Sequence, residues 1–563
     1  MDDARRSGLT RRDALALGAL TGAAGLVRGG VGPATALAAP RSFGVTVPAD
    51  AFLRDGTTAP LRAPGRFVLL GVRDPSALGA ALQVRARRAG GAWTAWAPLH
   101  AHVAHGPDRP GRGAGATDPL WTGSADELQL RASRRPRAAV RVALVGVPRA
   151  ALALASARGA APQADAAQLA GRPPIVPRAS WGGDLVPPRS LPAYGEVKFA
   201  AVHHTESANE YTQAQAPGVV LAITKFHRDT RGWNDVGYNF LVDRFGTIYE
   251  GRAGGTDLAV IGAHAQGFNG VSTGISVIGS FTALEPPAAA LDAVARLIAW
   301  RLPLAGVPVT GTVTVTSGGG SLAKFRAGAA VTLPRICGHR DVGSTDCPGD
   351  RLYADLPDIR TRVGARSVTP VVRPEVTLGA AGRVRYGREA RFEGSVLAPD
   401  KSPQAGVPVR IEKRGASGTW VRIAETTTDA DGAFLASTPW KRGGLARATA
   451  QGVSSLPVSV AVLPALEVAA DAATIPAGGV VTLKGRMRPP GTVKVVVQRR
   501  SRGRWRRTAV VSRKARDAFA VPVRLRRTGT YRLVVTAGST GEVSRASPIT
   551  VRVGAAIGGS PAA

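Results

Sequence analysis

EVKFAAVHHT, residues 196–205, is the stretch on which the reading of the fold turns. Its apolar run, Val197 and Phe199 to Val202, has strand length and ends in polar residues, so a strand delivers His203 or His204 at the end of a sheet. Downstream, PGVVLAITKFHRDT (217–230) is compatible with a helix, and YNFLVDRFGTIYEG (238–251) reads as two strands around a Phe-Gly turn. AAALDAVARLIAWRL (288–302) is an amphipathic helix. Strand-like and helix-like periods therefore alternate over residues 173–365, which predicts a mixed sheet with helices on its faces. GTVTVTSGGGSLAKFRAGAAVTLP (311–334) reads as a hairpin near the cleft that tunes access to it.

A chain of 563 residues is too long for one core, and roughly three to five domains are expected. Residues 42–148 carry short apolar alternations, RFVLLGVRD, ALQVRARRAGGAWTAW and AAVRVALVGV, split by Gly/Pro/Asp turns, and predict a β-rich accessory domain. Residues 149–172, rich in Ala, Gly and Pro, read as a linker. Beyond 366 the chain repeats itself: ARFEGSV matches VTLKGRM, and Trp420 and Phe434 are spaced like Trp505 and Phe519. Two β-sandwich repeats are predicted, 366–463 and 464–556, each with its tryptophan in the core.

Lys and Arg number 73 against 39 Asp and Glu, a net charge of +34 that favours a polyanionic partner. The excess peaks in the second repeat, where 17 basic residues stand against Asp517 alone between Lys484 and Arg532. At the other end, Arg11 and Arg12 precede a weakly apolar run from Ala14 to Val27, and Ala36-Leu37-Ala38 offers a cleavage site. Residues 1–38 thus read as a twin-arginine export signal. No later apolar stretch reaches the roughly 18 residues of a membrane span. The expected mature chain is a secreted, cell-wall-associated monomer without a transmembrane segment, and its polyanions are envelope polymers, not nucleic acid.

Both cysteines lie in ICGHRDVGSTDCPG (336–349), with His339 between them. Cys337 and Cys347 could form a disulfide, stay as buried thiols, or contribute to a metal site. His339 and Cys347 are separated by a Gly/Ser/Asp loop able to turn back on itself, which alone is weak evidence for a metal site. A third ligand would have to come from elsewhere in the fold, and His203 or His204 is placed to supply it.

Five motifs in order carry a resemblance: PRASWGGD (177–184), AAVHHTESAN (200–209), GWNDVGYNFLVDRFGTIYEGR (232–252), VIGAHAQGFNGVSTGISVIGSF (260–281) and GHRDVGSTDCPGDRLY (338–353). Residues 175–361 resemble peptidoglycan recognition proteins and type 2 N-acetylmuramoyl-L-alanine amidases. The resemblance implies a central α/β amidase domain with Zn2+ on His203, His339 and Cys347. It also implies that Tyr238 assists at the metal and that Thr345 stands where phage amidases carry lysine. His227, Trp233, Arg252, His264 and Asn269 would border the substrate cleft, with Arg252 placed to pair with a stem-peptide carboxylate. His204 falls behind the ligands, and Glu206 replaces the family's usual alanine. The implied reaction is zinc-assisted hydrolysis of the amide joining N-acetylmuramic acid to L-alanine in peptidoglycan. Receptor-only relatives commonly lack the cysteine, so its presence favours catalysis over the alternative, a non-catalytic wall-binding protein. Cys337 is then a small buried apolar residue. The basic repeat would meet anionic wall polymers.

Overall fold

A computed structural model of the chain describes residues 39–100, 106–108, 115–148, 150–151, 153, 171–366, 373–415, 420–539 and 542–555. The export-signal segment and most of the expected linker lie outside the described residues.

The N-terminal residues form one antiparallel sheet. Its strands are β1 (Arg41–Val47), β2 (Leu61–Arg73), β3 (Leu82–Arg87), β4 (Ala97–Pro98), β5 (Leu120–Ala132) and β6 (Val140–Gly146), in the order β1-β6-β2-β5-β3-β4. In β3 the alternation is plain: Leu82, Val84 and Ala86 are buried while Gln83, Arg85 and Arg87 are half-buried.

The central sheet has the order β14-β8-β11-β9-β10-β7. Its strands are β7 (Ile175–Val176), β8 (Phe199–His204), β9 (Phe240–Val242), β10 (Ile248–Glu250), β11 (Ser272–Val277) and β14 (Ile336–Gly338). Only β9 and β10 pair antiparallel, because a tight turn with Gly246 at φ +86 joins them. β12 (Thr312–Thr316) and β13 (Ala330–Pro334) form the hairpin expected over 311–334.

β8 is buried on both faces, which its near-continuous apolar run requires. On one face Ala200 and Val202 share a core with helices α2 (Ala288–Leu304) and α3 (Leu356–Arg366). On the other, Phe199 and Ala201 pack with Phe268, Cys337 and the β12–β13 hairpin. Helix α1 (Ala216–Asp229) is buried along most of its length, because a second body covers its outer side. Val68, Leu69, Trp121 and Val145 of the N-terminal sheet join Val219, Ile223 and Phe226 of α1 in one cluster. Gly71 is needed there, since a Cβ would overlap the Phe226 ring. Arg231 crosses the same boundary and donates to Asp118 at 2.7 Å, with side chains 6% and 4% exposed.

The C-terminal residues form two further units, each built from a smaller and a six-stranded sheet around its own core. The expected core positions of Trp420 and Trp505 are corrected. Both are half-exposed, stacked under Arg447 at 4.4 Å and Arg532 at 4.7 Å, and the buried indole is Trp440. Each displaced tryptophan begins or nearly begins a strand at the outer side of its sheet, where one face stays open.

Candidate metal centre

Side chains alternate along β8, so His203 points to the same face as Phe199 and Ala201, and His204 to the opposite face. β14 runs parallel to β8 and stops level with Val202, which leaves His339 just beyond the strand end beside His203. The following loop closes on itself: Arg340 N donates to Cys347 O at 2.9 Å, and Cys347 N donates to Thr345 Oγ1 at 3.1 Å. Cys347 is thereby returned to His339. One ligand atom from each of His203, His339 and Cys347 falls within 4.8 Å of the others, and all three residues are buried. Cys337 and Cys347 are both free thiols, and Cys337 packs in the apolar cluster behind β8.

Burial sets the protonation of this cluster. Burial pushes the Cys347 thiol well above its ordinary pKa, and burial together with His339 and His264 pushes His203 well below. Left alone, Cys347 is a neutral thiol and His203 a neutral imidazole. Two imidazole nitrogens and one sulfur at this separation form a borderline-soft donor set that suits zinc, and a divalent ion would stabilise the thiolate that burial opposes. His203 Nδ1 lies 3.7 Å from Cys347 Sγ, while His203 Nε2 lies 3.0 Å from His264 Nδ1, so the far side of the ring is held. His264 is itself confined, because a Cβ at either Gly262 or Gly274 would overlap its ring.

Around the cluster, the Tyr238 ring stands 5.5 Å from His203 and 5.8 Å from His227, and the His227 ring packs tilted against Trp233 at 4.6 Å. Burial raises the Tyr238 phenol well above its usual value, so it keeps its proton. Two expected cleft residues also bond to the framework. Arg252 is 9% exposed, and its Nη1 donates to Val236 O at 3.0 Å. Asn269 is 1% exposed and its amide bridges two backbone segments. Burial leaves each of these polar groups in need of a protein partner, and the framework supplies it.

Glu206 was legible in the sequence only as a departure from a motif. It is buried, sits at φ +54 and pairs with His204. Its other oxygen accepts from Ser280 Oγ at 3.1 Å and lies 3.6 Å from His100 of the N-terminal domain. His204 Nδ1 accepts from Phe281 N at 3.2 Å, so His204 anchors the end of β8 from the face opposite the metal cluster.

Residues 193–350 match the family model described as N-acetylmuramoyl-L-alanine amidase, and residues 34–166 match one described as Rv3811 N-terminal galactose-binding domain-like. Peptidoglycan-recognition protein LB of Drosophila melanogaster is 32% identical over 215 residues, covering 37% of this chain and 80% of that protein. Peptidoglycan-recognition protein LE of Drosophila melanogaster is 34% identical over 182 residues, 32% of this chain and 45% of its own length. N-acetylmuramoyl-L-alanine amidase of Homo sapiens is 33% identical over 189 residues, 32% of this chain and 28% of its own length. The chain therefore spans less than half of each of the last two.

Proposed function

The chain belongs to the family of peptidoglycan-recognition proteins and N-acetylmuramoyl-L-alanine amidases, and from that premise we propose that it is a secreted zinc hydrolase. Its substrate is the amide between N-acetylmuramic acid and L-alanine of peptidoglycan. The observation that carries this reading is the convergence of His203, His339 and Cys347 at one buried point.

A zinc ion on these three residues would supply a Lewis acid and bring the pKa of a bound water towards about 7. The chain's own groups do the rest. His264 holds His203 with Nδ1 facing Cys347. Tyr238, protonated, donates a hydrogen bond from its hydroxyl to the scissile carbonyl oxygen as negative charge grows there. His227 and Trp233 form the wall beside Tyr238 against which the stem peptide lies. Thr345 shapes the loop by accepting from Cys347 N. Arg252 and Asn269 act as framework for the cleft.

We take the domain division as 42–148, 173–365, 366–463 and 464–556, in a monomer exported by residues 1–38. Among the described residues no helix is long and apolar enough to cross a membrane. The basic repeat attaches the enzyme to anionic wall polymers.

The test is digestion of purified peptidoglycan by the full chain. New L-alanine amino termini should appear, vanish on chelation, return with zinc, and be reduced by more than about 100-fold in Cys347→Ser, a loss at least as large as that from an outer partner. Wall binding without new amino termini at any zinc loading would establish the non-catalytic alternative instead.

A further inference from the structure

The loop that carries His264 is held from outside its own domain. Gly106, Pro107 and Asp108 of the N-terminal domain face the segment from His264 to Asn269 and accept hydrogen bonds from it. Asn269 Nδ2 donates to Gly106 O at 2.9 Å and to Asp108 Oδ1 at 2.8 Å. Gly267 N donates to the same Asp108 oxygen at 2.8 Å, and Gln266 Nε2 donates to Pro107 O at 3.1 Å. The other end of the Asn269 amide faces the metal cluster: Oδ1 accepts from His264 N at 2.8 Å and Ala265 N at 3.0 Å. His264 Nδ1 then meets His203 Nε2 at 3.0 Å.

A planar amide has two distinct ends. With Nδ2 held by acceptors on one side, Oδ1 must face the His264 backbone on the other, and the loop is fixed. Without the Asp108 oxygen, Gly267 N loses its acceptor and the amide keeps only Gly106 O on that side, so the loop is held less firmly and the bonds to the buried N–H groups of His264 and Ala265 weaken. The His264 ring has no slack to absorb such a shift, lying as it does between Gly262 and Gly274.

We propose that Asp108 is a positioning residue for the His203 imidazole, acting through Asn269 and His264, so that the N-terminal domain is a working part of the metal centre. The proposal rests on the reading of that centre as a zinc site. An imidazole whose far nitrogen is fixed by a neighbour offers the metal one tautomer in one direction, and loss of such a partner weakens metal binding about 10- to 100-fold.

The experiment uses the full chain in four forms: wild type, Asp108→Ala, Asp108→Asn and Arg73→Ala. Zinc affinity is measured by chelator competition, and the absorption spectrum is recorded after Co2+ substitution. Asp108→Ala should bind zinc at least about tenfold more weakly and shift the cobalt bands. Asp108→Asn should behave as wild type, because both bonds at residue 108 end on one acceptor oxygen. Arg73 crosses the same domain boundary by donating to Thr230 O at 3.0 Å, away from this path. Arg73→Ala should lower Tm and leave affinity and spectrum unchanged. Wild-type affinity in Asp108→Ala, failure of asparagine to rescue, or an equal loss in Arg73→Ala would each overturn the proposal. A wild type that takes up no zinc would sink the metal-centre reading as well, whereas a zinc-binding wild type matched by Asp108→Ala sinks this proposal alone.

Discussion

At Tyr238 a phenol 3% exposed stands beside the cluster of His203, His339 and Cys347 with its proton held on by burial, so its chemistry is that of a donor and not a base. Tyr238→Phe should lower kcat by about 100- to 1,000-fold, the loss typical of one donor to a developing oxyanion. Zinc content should be unchanged, since the hydroxyl is no ligand. Metal analysis beside a muropeptide-cleavage assay checks both halves, and full activity in the variant would remove Tyr238 from the reaction. Cys337 shows how much a single position depends on its surroundings. It is the same residue type as Cys347 and ten positions away, yet it packs among apolar side chains while Cys347 faces two imidazoles.

Helix α1 draws its place in the fold from partners on two sides. The central sheet takes one side and the N-terminal sheet the other, so the helix is buried over almost all of its length. The Arg231–Asp118 pair lies at the end of this contact, and Arg231 also donates to Ala116 O at 3.3 Å and Thr117 O at 3.2 Å. Asp118→Ala would leave a guanidinium 6% exposed without its carboxylate. The expected cost is about 3–5 kcal/mol, the usual result of breaking a buried pair from one side. Calorimetry of the full chain should show the transition that contains these two domains fall in temperature while the C-terminal transitions stay in place. An unchanged transition would mean that the two domains do not unfold together.

Across the whole molecule the charge is unevenly laid down. In the hairpin Gly491–Ser501 and Arg504–Ala515 the second strand is the edge of its sheet and is exposed along most of its length, and Arg504, Arg506 and Arg507 all reach solvent. Asp517, the one acid of that region, is already paired with Arg486 and Arg488. Such a field attracts polyanions over about one Debye length, roughly 10 Å at 0.1 M salt. Replacing Arg504, Arg506 and Arg507 by glutamate should reduce retention on walls that carry phosphate polymers on the order of tenfold at low salt, by loss of steering and attachment. Cleavage of soluble muropeptides should not change. Co-sedimentation across a salt series decides it, and retention that is indifferent to both salt and charge reversal would refute the role.

The alternating periods of residues 196–302 determined the mixed sheet and its helices, because strand and helix each impress their own repeat on a local run of side chains. The family motifs likewise named His203, His339, Cys347 and Tyr238. The choice between His203 and His204 was left to the resemblance, since it turns on which face of β8 each occupies. Three things were decided by tertiary structure alone. Arg252 and Asn269 acquired backbone partners because burial obliges them to find some. Trp420 and Trp505 were left under arginines at the outer strands. Asp108 was brought to Asn269 in the loop that carries His264 from 161 residues away. No local pattern encodes such a contact, for it exists only once two separately patterned domains have docked.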